Sequence, residues 1–260
     1  MSVDNATSRW IRCFHPKPGA AHTLVCFPHA GGSASYYHGL SAALGPDIEM
    51  LVIQYPGREN RLFEEPVASV EALADAVAEV LGARLGDRRP VLFGHSMGAI
   101  VAFEVARRLE RAGGPAPRGL VASACSAPSN RSPLGVPADE EPDGAVLARI
   151  MDLGGTARDV GEHAELIELV LPAIRADLAA LDSYRAPKDA VVGCPVTVFV
   201  ADQDLEVPVS EAGLWELHTS AGARVHLFEG DHFYLGSQPQ AFLDLLQETA
   251  RTSRPENSLA

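Results

Sequence analysis

The sequence has 260 residues, 47% of them hydrophobic and 21% charged, and this apolar content excludes a wholly disordered chain. Lys and Arg number 21 against 34 Asp and Glu, and the net charge of −13 argues against nucleic-acid or anionic-membrane binding as the main role. No run approaches the roughly 18 apolar residues of a membrane span, and no signal peptide is evident, so we expect a cytoplasmic protein.

Short apolar runs alternate with helical patterns along most of the chain. Helical periodicity marks Ser69–Leu85, Ala99–Ala112 and Gln240–Arg251. The runs that predict strands are Thr23–Phe27, Met50–Gln54, Val91–Phe93, Leu120–Ala124, Val196–Val200 and Arg224–Phe228. Strands that are apolar along their whole length are typical of a parallel sheet covered on both faces. The sequence therefore predicts an α/β fold with a mostly parallel, doubly wound sheet.

One segment, residues 129–188, interrupts this alternation because it contains no candidate strand. Its first part is rich in Pro, Gly and acidic residues and predicts a loop, followed by helices over Asp143–Leu153 and Glu162–Tyr184. Pro172 predicts a kink or a boundary within the second helix. We interpret the segment as a helical lid inserted into a single domain, the alternative being two ordinary packing helices.

The clearest chemical signal is Gly94-His-Ser-Met-Gly98, a G-x-S-x-G pattern. The pattern is weak on its own, but here it directly follows a predicted strand and opens a predicted helix. That is the setting of a nucleophile elbow, in which a sharp strand-to-helix turn exposes the serine hydroxyl. Ser96 is therefore the candidate nucleophile, against the alternative of a non-catalytic turn.

A serine nucleophile needs a base and an acid that orients the base. Of the nine histidines, only His232 lies in a loop between the last predicted strand and the last helix, where this fold carries its base. Asp204 lies three or four residues beyond the preceding strand and is the predicted acid. Asp202 is the second candidate for that role, with a turn-capping role as its alternative, and Asp231 more plausibly shapes its own loop.

Acyl transfer also requires two backbone N–H groups that bind an oxyanion. Met97, directly after the nucleophile, supplies one, and Ala30 in the glycine-rich loop after the first strand is the candidate for the other. The same loop lacks the lysine and the spacing of a phosphate-binding loop. The four cysteines have no metal-ligand or redox spacing, so we expect a reduced protein with no metal or cofactor.

Four segments in this order resemble the type II thioesterases of polyketide and nonribosomal peptide synthases: Phe27–Ser35, Tyr55–Arg61, Gly94–Ala99 and Gly230–Phe233. The resemblance spans about residues 10 to 250. It implies an α/β-hydrolase with a helical lid that hydrolyses aberrant or stalled acyl groups from the phosphopantetheine arm of carrier proteins, through an acyl-serine intermediate. Ala201 departs from the family pattern, where glycine is common before the acid, and this blurs the choice between Asp202 and Asp204.

Two arginines in the Tyr55–Arg61 segment are candidates for contact with a carrier protein. For Arg58 the favoured alternative is a pairing with a nearby acid that braces its loop, whereas for Arg61 we favour carrier docking. Other functions consistent with the sequence are a chain-terminating fatty acyl thioesterase, a general carboxylesterase and a catalytically inactive hydrolase that serves as a binding partner. The absence of coiled-coil heptads favours a monomer.

Overall fold

The structure is a computed structural model that describes residues 9–113, 116–130, 141–146, 164–237 and 239–252. Its described strands form one sheet in the order β1-β3-β2-β4-β5-β6-β7. Every neighbouring pair is parallel except β1 and β3, which are antiparallel. The strands are β1 (Ile11–Arg12), β2 (His22–Phe27), β3 (Ile48–Ile53), β4 (Val91–His95), β5 (Gly119–Ser123), β6 (Val196–Ala201) and β7 (Ala223–Phe228).

The six strands predicted from apolar runs are therefore confirmed, with boundaries shifted by at most two residues. The two-residue edge strand β1 was not predicted, because so short a segment carries no periodicity. The described helices are α1 (His38–Ala43), α2 (Val70–Leu85), α3 (Met97–Arg111), α4 (Ala164–Ser183) and α5 (Gln240–Thr252).

The sheet is covered by helices on both faces, as the continuous apolarity of its strands requires. Successive residues of β2 alternate between the faces: Val25 packs in the cluster that includes α2 and α3, and Leu24 in the cluster that includes α1 and α5. No helix among the described residues is long and apolar enough to cross a membrane.

The segment predicted as an insertion is described only in part, because residues 131–140 and 147–163 lie outside the described ranges. The predicted helix Glu162–Tyr184 is confirmed as α4, which continues through Pro172. Of the two outcomes expected at that proline, a helix boundary is therefore excluded, and a kink stays a prediction. Residues 143–146 of the other predicted helix are helical. The role of this segment as a lid stays a prediction.

The topology places four loops at the same edge of the sheet. The chain leaves β2, β4, β6 and β7 at their carboxyl ends, and parallel strands bring these ends together. In open α/β sheets, ligands bind in the crevice beyond these ends. Ala30, Ser96, Asp204 and His232 all lie in these four loops or directly at their ends.

Candidate active site

Ser96 occupies the single residue between β4 and α3, and its backbone is strained. Its φ of 53° and ψ of −122° lie in a region that residues with a side chain rarely adopt, at a typical cost of about 1–3 kcal/mol. The Ser96 N–H donates to the carbonyl oxygen of Ser123 at 2.8 Å, which ties the turn to β5. This conformation is the predicted nucleophile elbow, with a half-buried serine at its tip.

The two glycines of the elbow are required by close backbone packing. A Cβ atom at Gly98 would overlap the carbonyl group of Phe27, and one at Gly94 would overlap the backbone of Gly98 and Ala99. Neither neighbour is a side chain that could rotate away. The two glycines of the G-x-S-x-G pattern are therefore explained by steric exclusion.

His232 and Asp204 form a buried hydrogen-bonded pair. Nδ1 of His232 lies 2.8 Å from Oδ2 of Asp204, and the two side chains are 5% and 0% exposed. The second carboxylate oxygen of Asp204 accepts the N–H of Glu206 at 2.9 Å, which fixes the carboxylate. With the Nδ1 proton donated to Asp204, Nε2 is the nitrogen available to accept a proton.

Nε2 of His232 is buried and has no hydrogen-bond partner among the described residues, so Ser96 does not bond to it in this structure. Its ring lies next to the elbow, however, since the rings of His232 and His95 have centroids 5.4 Å apart and His95 directly precedes Ser96. Such catalytic hydrogen bonds are often long in free enzymes and tighten when substrate binds.

The other two carboxylates considered for the acid have local roles. Asp202 is exposed, and its Oδ1 accepts the N–H of Gly230 at 2.9 Å. Asp231 is also exposed and accepts the N–H of Phe233 at 2.9 Å. Of the three, only Asp204 is brought against His232.

Two further histidines lie near His232 and are kept neutral by burial. Desolvation, followed by the nearby His232 and Arg58, lowers the pKa of His29 to about 3. Desolvation and the same histidine also hold the pKa of His95 well below its usual range. Nδ1 of His95 is 2.9 Å from the hydroxyl of Ser123, which in turn is 2.6 Å from that of Tyr234. This network was not anticipated, although a histidine next to the candidate serine could have suggested it.

Residues His29–Gly32, here called the oxyanion turn, contain the second candidate donor. The N–H of Gly32 donates to the carbonyl oxygen of His29 at 2.9 Å, and Gly31 has a φ of 72°, as the third residue of a type II turn requires. In the described part of the chain, the N–H groups of Ala30 and Met97 donate no hydrogen bond.

The two glycines of the oxyanion turn are constrained by packing within the protein. A Cβ atom at Gly31 would lie 2.8 Å from Cγ1 of Ile174 in α4, and one at Gly32 would lie 2.7 Å from Cε1 of His29. A side chain at either position would therefore displace a buried neighbour.

Arg58 is buried and pairs with an acid, as the favoured alternative predicted. The acid is Asp177 in α4, however, and not a neighbour in its own loop. Nη1 and Nη2 of Arg58 contact Oδ2 and Oδ1 of Asp177 at 2.7 and 2.9 Å. The sequence carries one related signal: Asp177 is an isolated acid within the apolar stripe of its helix, which indicates that it has a partner.

The hypothesis that Arg61 docks a carrier protein is wrong, because its side chain is 5% exposed. Its guanidinium donates to the carbonyl oxygen of Gln54 at 2.8 Å and to both carboxylate oxygens of Glu64. It also lies 4.0 Å from the ring centroid of Trp10. The hydrogen bonds and charge of Arg61, together with Arg9, lower the pKa of Glu64, and the contacts of Arg61 hold the loop.

Within the described ranges, no group of three or more His, Cys, Asp or Glu side chains is arranged to hold a metal ion. The groups that the structure brings together can transfer protons and donate hydrogen bonds. A strained serine lies at the tip of an elbow, a carboxylate orients an imidazole beside it, and two backbone N–H groups are free to bind an oxyanion.

Comparison with known proteins identifies the family. The model of the thioesterase domain matches residues 22–249. Thioesterase PikA5 of Streptomyces venezuelae is 43% identical over 92% of this chain and 83% of its own length. A probable cadicidin biosynthesis thioesterase of Streptomyces griseus is 41% identical over 90% of this chain, which spans 64% of that relative.

Solved structures agree with this. The type II thioesterase BorB from the borrelidin biosynthetic cluster has a TM-score of 0.84 and 40% identity, covering 93% of this chain and 98% of its own. RedJ, a thioesterase from the prodiginine pathway of Streptomyces coelicolor, has a TM-score of 0.81 and 35% identity, with coverages of 90% and 92%. The α/β-hydrolase fold is thus confirmed, and the chain belongs to the thioesterase family.

Proposed function

We propose that this chain is an editing thioesterase, which hydrolyses aberrant or stalled acyl groups from the phosphopantetheine arm of carrier proteins in a polyketide or nonribosomal peptide assembly line. As a member of the thioesterase family it is a hydrolase of acyl thioesters. The carrier-bound substrate and the editing role are supported by the names of its relatives, among them type II thioesterases of such biosynthetic clusters.

The observation that carries the catalytic part is the buried pair of His232 and Asp204 with Nε2 of the imidazole left unpaired beside the elbow. In the first step, Nε2 takes the proton of the Ser96 hydroxyl as its oxygen attacks the thioester carbonyl carbon. The N–H groups of Met97 and Ala30 bind the resulting oxyanion. The neutral histidines nearby add no positive charge that would oppose formation of the imidazolium.

Collapse of the tetrahedral intermediate breaks the carbon–sulfur bond. The phosphopantetheine leaves as the thiol with the proton carried by His232, and the acyl group stays on Ser96 as an ester. His232 then takes a proton from water, whose oxygen attacks this ester. The second intermediate collapses to a carboxylic acid and returns the proton to Ser96.

The placement of α4 supports the proposal that residues 129–188 form a lid over this site. Leu171, Ile174 and Leu178 of α4 form an apolar cluster against which Ala30 packs. The insertion therefore contacts the oxyanion turn directly.

The test compares hydrolysis of one acyl group on a phosphopantetheinylated carrier protein, on the matched free pantetheine thioester and on a p-nitrophenyl ester. We expect the carrier-bound substrate to give the largest kcat/KM and Ser96→Ala to abolish all three activities. Ser220→Ala, at an exposed serine distant in sequence, serves as the matched control. Hydrolysis of the free ester without hydrolysis of the carrier-bound thioester would refute the editing role, and retained activity in Ser96→Ala would refute the catalytic assignment.

A further inference from the structure

A buried carboxylate of α4 reaches into the candidate active site without belonging to the catalytic pair. Asp177 is 1% exposed and forms a bidentate ion pair with Arg58, which is itself buried. Oδ2 of Asp177 also accepts the N–H of Gly31 at 2.7 Å. One carboxylate oxygen is thus shared between a guanidinium and the backbone of the oxyanion turn.

Arg58 holds the same turn from its other end. While Nη1 contacts Asp177, it also donates to the carbonyl oxygen of Gly32 at 3.1 Å. The N–H of Gly31 and the carbonyl of Gly32 are therefore both bound by this one ion pair. If either peptide group turned away, Asp177 or Arg58 would lose a hydrogen-bond partner while staying buried, which costs free energy.

The conformation of the turn held in this way also determines where the Ala30 N–H points. In a trans peptide the N–H and C=O groups point in opposite directions. The carbonyl of His29 is directed into the turn, toward the N–H of Gly32. The N–H of Ala30, in the same peptide unit, is consequently directed out of the turn, where it is free to bind an oxyanion.

We propose that Asp177, with Arg58 as its partner, is a positioning residue for the oxyanion hole, holding the turn so that the Ala30 N–H is preorganised for the transition state. This inference rests on the proposed role of Ala30 as an oxyanion donor. It assigns to α4 a part in the chemistry, because the helix supplies both the carboxylate and, through Ile174, the surface against which Gly31 packs.

A second buried ion pair provides a matched control. Glu104 in α3 is 3% exposed and is paired with Arg107 and Arg108, and its Oε1 accepts the hydroxyl proton of Tyr184 at 2.8 Å. These contacts lie within α3 and to Tyr184, the residue directly after α4, and none of them is to the oxyanion turn. Asp177→Asn and Glu104→Gln therefore remove the same kind of charge, but only the first disturbs Gly31.

The experiment measures kcat and KM on an acyl pantetheine thioester, together with the thermal unfolding midpoint of each variant. We expect Asp177→Asn to lower kcat about 10-fold with KM changed less than about 3-fold, since loss of a complete oxyanion donor costs about 100- to 1,000-fold. Glu104→Gln should lose comparable stability while keeping kcat within about 2-fold. Equal kcat values for the two variants would overturn the proposal.

A trifluoromethyl ketone inhibitor separates positioning from a general structural effect. Ser96 adds to its carbonyl to give a tetrahedral adduct whose oxygen occupies the oxyanion hole. Asp177→Asn should weaken inhibition by the same factor as kcat/KM, whereas an unchanged inhibition constant would overturn the proposal. If this variant does not fold, Arg58→Lys, which keeps the charge but loses the bidentate contact, replaces it. The same changes in kcat and in the inhibition constant are then expected. Activity in Ser96→Ala would instead refute the catalytic assignment itself.

Discussion

Two backbone segments of the candidate active site, the elbow that contains Ser96 and the oxyanion turn, are held in place by different interactions. The elbow at Ser96 is fixed by contact between neighbouring backbones, which leaves no room for a Cβ atom at Gly94 or Gly98. The oxyanion turn is held by polar side chains that are distant in sequence. Arg58 is 26 positions from the carbonyl that it binds, and Asp177 is 146 positions from the N–H that it accepts.

This difference explains why the two segments respond differently to change. An added side chain at the elbow would overlap backbone atoms that cannot move aside, so the elbow could not form. A hydrogen-bonded turn can shift by fractions of an ångström as its anchors weaken. We therefore expect substitutions at the elbow to act on folding and activity together, and substitutions at the anchors of the turn to act mainly on the rate of the chemical step.

The largest effect is expected at the elbow itself. Gly98→Ala adds a methyl group that overlaps the backbone of Phe27, so we expect a loss of at least about 3 kcal/mol in the free energy of unfolding and no measurable hydrolysis. Urea unfolding and a thioester assay measure the two effects. Gly82→Ala is the matched control, because open space surrounds this helical glycine and alanine should stabilise α2 by about 0.5–1 kcal/mol. A stable Gly98→Ala protein would contradict the steric explanation.

The next effect concerns Asp204, the acid of the proposed catalytic pair. Asp204→Asn keeps the shape of the side chain but removes the charge that orients and stabilises His232, so we expect kcat to fall by about 10⁴-fold. Asp202→Asn alters only an exposed turn contact and should change kcat less than about 3-fold. Steady-state kinetics on a single thioester distinguish the two. Similar losses in both variants would mean that the geometry does not identify the acid.

The contrast between the two segments also separates the features that could be predicted from the sequence from those that could not. Continuous apolar strands and alternating helices predicted the sheet, because burial on both faces leaves a local signature at every position. The elbow was predictable for the same reason, since its glycines and serine lie within five residues. Strand β1 was missed because its two residues are too few to show a repeating pattern.

Contacts between distant residues could not be read in this way. Asp177 breaks an apolar helical stripe, which indicates that it has a partner, but the partner is identified only once α4 is packed beside the loop after β3. Arg61 shows the opposite error: a surface role was inferred for a charge that the fold buries against Trp10 and Glu64. In both cases the sequence does not show which residue lies beside the charged side chain in the folded protein.

The smallest predicted effect tests the oxyanion turn through its first residue, His29. Its pKa is lowered to about 3, chiefly by burial, so the folded state keeps the ring neutral. The unfolded chain binds a proton there below its ordinary pKa of 6.5. Stability is therefore fully present above about pH 6.5 and is lost as the pH falls from there toward 3. At pH 5 this one group destabilises the fold by about 2 kcal/mol relative to pH 8.

Replacing His29 by a residue that does not titrate should remove that part of the pH dependence. In His29→Gln, we expect the difference in unfolding free energy between pH 8 and pH 5 to shrink by about 2 kcal/mol, as measured by urea denaturation at both values. Tyr37→Phe is the control: it breaks the hydrogen bond between the Tyr37 hydroxyl and Nδ1 of His29 but keeps the titrating ring, so it should retain the pH dependence. If His29→Gln kept it as well, the protons bound on acid unfolding would belong to His95 or other groups. The oxyanion turn would then contribute nothing to acid sensitivity, because His29 would bind a proton in the folded state as readily as in the unfolded chain.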